Sequence, residues 1–115
     1  MVLGAAVTLG ATFLVIALGF CLTLHVAARY VLGDVPIGNA LAGVVPATIV
    51  FALTLADRPL AAAPIAIAAD LIVIRSVYGI SYRWAGLVTL VHFTVSFLLG
   101  FTLRNLLALL ETAPT

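Results

Sequence analysis

Three ionisable residues, Asp70, His25 and His92, lie inside long apolar stretches of this sequence. A carboxylate and an imidazole can exchange a proton near neutral pH, where an unperturbed histidine titrates. Ionisable side chains in apolar helices usually face a bundle interior or a polar cavity, because exposing them to lipid is costly. The three residues therefore suggest a proton or ion relay. A polar clasp that fixes the register of the helices accounts for the same residues.

The positions of these residues along their helices predict that they lie at similar depths. The first helix is predicted to end near Arg29 and the third near Arg75, both at one membrane interface. Taking about 1.5 Å per residue, His25 lies about 6 Å, Asp70 about 7–8 Å and His92 about 12 Å from that interface. All three fall in one half of the membrane. Arg29, at a neighbouring helix end, is predicted to be a second partner of Asp70.

Other chemistry for the same residues is less well supported by their spacing. A b-type haem needs two axial histidines at similar depth, and His25 and His92 differ by about 6 Å. A zinc site from these histidines and Asp70 has suitable ligand types, but no short ligand spacing accompanies it. Ser96 stands one turn after His92, as a nucleophile and its base could, yet no GxSxG motif is present. We predict no catalytic residue, no cofactor and no metal.

The composition decides the class of protein. Of 115 residues, 65% are hydrophobic and 8% are charged, with a mean hydropathy of +1.36. A soluble domain carries about 25% charged residues, so this chain lacks the charge for a water-facing surface. Its apolar runs of about 15 to 25 residues are typical of membrane helices and do not alternate as barrel strands do. We predict an integral membrane protein whose first partner is the lipid bilayer.

The apolar runs and the breaks between them predict an all-α integral membrane bundle of four transmembrane helices in one domain, residues 1–115. Pro46 predicts a kink inside the second helix. The short turn Asp57-Arg58-Pro59 predicts that the second and third helices are antiparallel neighbours. The predicted helices cover about residues 2–30, 40–56, 60–78 and 84–107.

Charge and cysteine content exclude several classes of partner and site. The net charge is +1 and the five cations are all arginine, with no basic patch, so no nucleic-acid partner is predicted. Cys21 is the only cysteine, which excludes a disulfide framework. More arginines fall on the side of the first and third loops than on the side of the termini. By the positive-inside rule, both termini are predicted to lie outside the cytoplasm.

Two stretches of the sequence resemble a known group of proteins. The stretches HVAARYVLGDVP (residues 25–36) and DLIVIRSVYGISYR (residues 70–83), with the ending LLALLETAP, resemble small, uncharacterised multi-span membrane proteins of halophilic archaea. The resemblance covers most of the chain. It implies a multi-pass membrane protein of archaeal origin and no particular activity.

Two functions follow from these observations. The first is a small integral membrane protein that is not an enzyme and acts through packing, as a homo-oligomer or as an accessory subunit of a larger membrane complex. The second is a small proton- or ion-coupled transporter or channel centred on Asp70, with His25 and His92. Substitution of Asp70 by asparagine separates the two predictions.

Overall fold

The computed structural model describes residues 1–112 of the chain, which form helices joined by short connections. In chain order the elements are α1 (Val2–Leu32), a 3-10 helix (Ile37–Gly43), α2 (Val44–Leu55), α3 (Pro59–Tyr78) and α4 (Tyr82–Thr112). Over residues 1–112 there is no β-strand, so the all-α class and the four helices predicted from the sequence are confirmed. Residues 113–115, the end of the predicted domain, lie outside the described part.

The four helices pack in a ring, in which α1 and α3 each contact both α2 and α4. Residues 56–58 are the only connection between α2 and α3, and these two helices share the most extensive contact in the bundle. The short turn therefore makes α2 and α3 neighbours, as the sequence predicts. In this ring α4 lies beside both α1 and α3, so its side chains can contact side chains of both helices.

The centre of the bundle is filled mainly with small apolar side chains, which allow the helices to approach closely. Many large apolar side chains point outward instead, the reverse of the pattern in a soluble domain. Each of the four helical segments is long and apolar enough to span a membrane, when the 3-10 helix is counted with α2. The buried core cluster consists of Leu24, Ala27, Ala28, Ala42, Ile74, Ala85 and Val88.

The second helical segment differs from its prediction. Residues 37–43 form a 3-10 helix, and α2 begins only at Val44, so Pro46 lies in the first turn of α2 and not inside a continuous α-helix. Proline has no N–H to donate and is tolerated in a first turn, where the N–H has no partner within the helix. The predicted kink is thus replaced by a change of helix type just before Pro46.

The ends of the other helices lie close to their predicted positions, except at the end of α4. α3 ends at Tyr78, and Gly79 follows with φ of 63°, the left-handed conformation that stops a helix. α4 continues to Thr112, beyond the predicted end near Leu107. The residues after Leu107 include no proline or glycine before Thr112, so nothing in the local sequence interrupts the helix.

Candidate functional site

Asp70 lies on the inward-facing stripe of α3, on which every fourth residue is buried. The stripe consists of Ala62, Ala66, Asp70 and Ile74, because residues four apart lie on one face of a helix. The side chain of Asp70 is completely enclosed by the bundle. An enclosed carboxyl group is costly unless another group bonds to it. Asp70 therefore requires a partner inside the bundle.

His92 on α4 is that partner. It belongs to the buried face of α4, together with Val88 and Thr89. The Nδ1 atom of His92 lies 2.6 Å from Oδ2 of Asp70. The two side chains are only 1% and 0% exposed. The structure therefore brings together two of the four residues that the sequence places in a polar cluster.

The second ring nitrogen of His92 contacts α1. Nε2 lies 3.1 Å from the carbonyl oxygen of Phe20 and 3.0 Å from Oγ1 of Thr23. Thr23 donates its hydroxyl proton to the Phe20 carbonyl and accepts a hydrogen bond of 2.9 Å from Oγ of Ser96. We call Asp70, His92, Thr23 and Ser96 the polar network. It joins α1, α3 and α4.

These partners assign the protons of His92. A carbonyl oxygen only accepts hydrogen bonds, and the proton of Thr23 is already donated to the Phe20 carbonyl, so Nε2 of His92 must donate. One further proton then occupies the short bond between Nδ1 and Oδ2 of Asp70. Whether it resides on the imidazole or on the carboxyl group, the pair carries no net charge. The bundle thus encloses two ionisable groups without enclosing a net charge.

The other two predicted cluster residues lie apart from this pair. His25 is partly buried, and its Nδ1 has no hydrogen-bond partner among the described residues. Arg29 is exposed and lies 3.5 Å from Asp34, five residues further along the chain. The prediction that Arg29 is a second partner of Asp70 is therefore wrong. Asp34 lies just beyond the end of α1, within reach of the long Arg29 side chain. The two charges therefore pair without being buried.

Neither Thr23 nor the carbonyl of Phe20 was predicted from the sequence to belong to the site. Ser96 carried a signal, since it follows His92 by one turn and so lies on the same helix face, but that spacing suggests a nucleophile before it suggests a structural bond. Thr23 is one of several hydroxyl residues in α1, and nothing in the sequence distinguishes it. A backbone carbonyl leaves no trace in a sequence at all.

Gly43, at the end of the 3-10 helix, packs against the backbone of α1 near Phe20. A Cβ atom added at Gly43 would lie 2.9 Å from the carbonyl carbon and oxygen of Phe20 and from the backbone nitrogen of Cys21. Real Cβ atoms do not approach backbone atoms so closely, so only glycine fits. The 3-10 helix therefore packs directly on the turn of α1 whose carbonyl oxygen bonds to His92.

Comparison with known proteins gives a family but no activity. A family model described as a family of unknown function, DUF7473, matches residues 3–114, nearly the whole chain. The chain belongs to the DUF7473 family. No curated protein and no solved structure matches it. The geometry of its own residues is therefore the guide to the function of this DUF7473 protein.

A groove of about 250 Å³ lies between α1 and α4 of the DUF7473 protein, beside the polar network. Thr23 and Ser96 are its two polar lining residues, and Gly19 and Gly100 leave space between the helices. Asp70 and His92 do not line it. The polar network thus extends from an enclosed acid to the wall of a surface groove.

The chemistry available to His92 is limited by the contacts of its imidazole ring. Both ring nitrogens of His92 contact the protein itself, which leaves neither free to bind a metal or to activate a nucleophile. Over residues 1–112, no group of three or more histidine, cysteine, aspartate or glutamate side chains is arranged to hold a metal ion. What the geometry offers is a set of hydrogen bonds between three helices.

Replacement of Thr23 by valine is expected to destabilise the folded protein by about 1–3 kcal/mol. Valine keeps the shape of threonine but removes the oxygen that accepts from His92 and Ser96, and the hydroxyl of Ser96 then loses its partner. Unfolding in detergent micelles measures the change. The matched control is Thr8→Val, because the hydroxyl of Thr8 is exposed and bonds only to the Gly4 carbonyl. Equal effects of the two substitutions would contradict a role for the polar network.

Proposed function

We propose that this DUF7473 protein is an integral protein of the cell membrane, in which four membrane-spanning helices are fastened together by the polar network. In this proposal the protein is not an enzyme. It acts through packing, as a homo-oligomer or as an accessory subunit of a larger membrane complex. The lipid bilayer is its first partner.

The spacing of arginines on α3 and α4 supports the membrane placement. Arg58, the residue just before α3, and Arg75 are about 26 Å apart along the helix, at about 1.5 Å per residue. Arg83 and Arg104 on α4 are about 32 Å apart by the same measure. A bilayer has a hydrocarbon core of about 30 Å, and arginine side chains can extend to its interfaces. The exposed apolar side chains between these arginines would face lipid.

The observation that carries the structural role is the bonding of the enclosed Asp70–His92 pair, in which Oδ2 of Asp70 and both ring nitrogens of His92 contact the protein. The pair is enclosed, holds no net charge, and bonds to α1 through the Phe20 carbonyl and Thr23. His92 is about 14 Å along α4 from Arg83 and about 18 Å from Arg104, near the middle of the apolar layer. Hydrogen bonds at that depth are shielded from bulk water, and they fix how far each helix slides along its neighbours.

The proposed orientation places both termini and the connection between α2 and α3 outside the cytoplasm. Single cysteines at Arg58 and at Arg83, each in a Cys21→Ser background, test it in intact cells with a membrane-impermeant maleimide. We expect Arg58→Cys to be labelled from outside and Arg83→Cys to be labelled only after the cells are opened. The reverse pattern would overturn the orientation, and labelling of both sites in intact cells would overturn the membrane placement.

A second candidate function, a proton- or ion-coupled transporter or channel, is favoured by one observation. The polar network runs without a break from Asp70 through His92 and Thr23 to Ser96, which borders the groove between α1 and α4. A proton could be passed along such a chain of bonded groups. His25, two residues after Thr23 on α1, is the remaining titratable group of this proposal.

Proton flux into lipid vesicles distinguishes the two candidates. If the polar network is structural, vesicles containing Asp70→Asn protein and vesicles containing the natural protein should acidify at the same rate, close to that of protein-free vesicles. A pH-sensitive dye inside the vesicles measures the rate. A flux that depends on the natural protein and is lost in Asp70→Asn would replace the structural proposal with the relay.

The archaeal, halophilic origin implied by the sequence resemblance stays a prediction.

A further inference from the structure

Four buried polar atoms have no hydrogen-bond partner among residues 1–112. They are Oδ1 of Asp70, Oγ1 of Thr89, the hydroxyl oxygen of Tyr78 and Nδ1 of His25. In folded proteins, buried polar atoms are nearly always bonded, either to the protein or to ordered water. Four such atoms in one small bundle require a partner that the helices do not supply.

Two of these atoms lie on the same side of the Asp70–His92 pair as the connection between α3 and α4. Because α3 and α4 are antiparallel neighbours, residues that follow Asp70 lie beside residues that precede His92. Thr89 precedes His92 by one turn, about 4.5 Å along the helix, and both are buried on one face. Tyr78 follows Asp70 by two turns, and long side chains on a helix lean toward its N-terminus, which brings the Tyr78 hydroxyl back toward Asp70.

His25 on α1 carries the fourth unpartnered atom. It follows Thr23 by two residues, and residues two apart do not share a helix face, so His25 is not part of the region beside the pair. The unpartnered atoms of Asp70 on α3 and Thr89 on α4 therefore border one region beside the pair, toward which the Tyr78 hydroxyl is directed.

The charge of this region determines what kind of ligand fits. The only carboxyl group in it, that of Asp70, already shares a proton with His92, so no net negative charge is left for a cation. Oδ1 of Asp70 offers an acceptor, and the hydroxyls of Thr89 and Tyr78 can both donate and accept. A small neutral molecule that does both satisfies all of them. Water has these properties, and typically makes about three bonds when buried.

We propose that the protein binds internal water between Asp70, Thr89 and Tyr78, on the side of the Asp70–His92 pair that faces the connection between α3 and α4. The bound water completes the hydrogen bonding of Asp70 that His92 begins. This inference stands apart from the proposed function, because internal water would complete a structural network and a proton relay equally.

Proton-detected solid-state NMR of the labelled full chain in lipid vesicles tests this site directly. Magnetisation that starts on water should reach the side-chain protons of Thr89 and His92. The transfer to His92 should be lost or strongly reduced in Thr89→Val and retained in Thr94→Val, since the exposed hydroxyl of Thr94 already bonds to the Leu90 carbonyl. The absence of any transfer to Thr89 and His92 in the natural protein would overturn the proposal.

Stability gives a second and independent readout. If the Thr89 hydroxyl bonds to water, Thr89→Val should raise the unfolded fraction about fivefold, the effect of one net hydrogen bond. If the hydroxyl is buried without any partner, removing it should lower the unfolded fraction instead, which would contradict the proposal. Thr94→Val should change the fraction less than twofold. Should Thr89→Val fail to fold, Tyr78→Phe provides the same comparison, with a raised unfolded fraction expected and a lowered one contradicting the site.

Discussion

Replacement of Asp70 by leucine is expected to destabilise the folded protein by about 3–5 kcal/mol, the usual cost of removing one member of a buried, bonded pair. Leucine fills the space of the carboxyl group but offers nothing to Nδ1 of His92. That nitrogen is almost completely enclosed, so bulk water cannot replace the lost partner. The measurement is reversible unfolding by SDS in mixed micelles, with the fraction of helix as the signal.

Replacement of Asp70 by asparagine is the matched control for this loss. With its proton on Nε2, a neutral His92 presents Nδ1 as an acceptor, and an asparagine amide can donate to it. The pair stays neutral and bonded, so Asp70→Asn should cost only about 1 kcal/mol. If asparagine were as damaging as leucine, the assignment of the His92 protons would be wrong.

Replacement of Gly43 by alanine is expected to destabilise the protein by about 1–3 kcal/mol, the range seen when well-packed sites are overfilled. The added methyl group would meet the Phe20 carbonyl and the Cys21 nitrogen at 2.9 Å. Backbone atoms cannot rotate out of the way as a side chain can, so the 3-10 helix and α1 must separate. That separation moves the Phe20 carbonyl, which is one of the two acceptors for Nε2 of His92.

Gly86 on α4 provides the control for Gly43. A Cβ atom added at Gly86 meets no atom within 4 Å, and alanine is favoured over glycine inside a helix by about 1 kcal/mol. Gly86→Ala should therefore leave the protein unchanged or raise its unfolding midpoint, while Gly43→Ala lowers it. A similar rise at both positions would show that α1 and the 3-10 helix do not approach as closely as described.

The helices were largely predictable from the sequence, because apolar runs of this length have few alternatives. In α3, for example, Pro59 at the start and Gly79 directly after the end enclose an apolar run that contains one acid, Asp70. The 3-10 helix before α2 was not predictable, since hydrophobic periodicity does not distinguish a 3-10 turn from an α-helical one. The close contact of its last residue, Gly43, with the backbone of α1 is likewise tertiary and leaves no signal in the local sequence.

The candidate site was predictable in part. Asp70 had to find a partner because an unpaired acid inside an apolar bundle is costly, and His92 was one of few side chains that could serve. Arg29 shows the limit of depth estimates: it lies at a suitable helix end, yet bonds to nearby Asp34. Depth along a helix can be read from residue numbers, whereas the direction in which a side chain points depends on how each helix is rotated.

A double-mutant cycle on Asp70 and His92 tests the central claim, that these two residues stabilise the bundle as one unit. The free energy of unfolding is measured for Asp70→Leu, for His92→Leu and for the protein that carries both. We expect each single substitution to be strongly destabilising and the double substitution to cost at least about 2 kcal/mol less than their sum, because removing both polar partners leaves neither unsatisfied. Costs that add to within about 0.5 kcal/mol would contradict the claim.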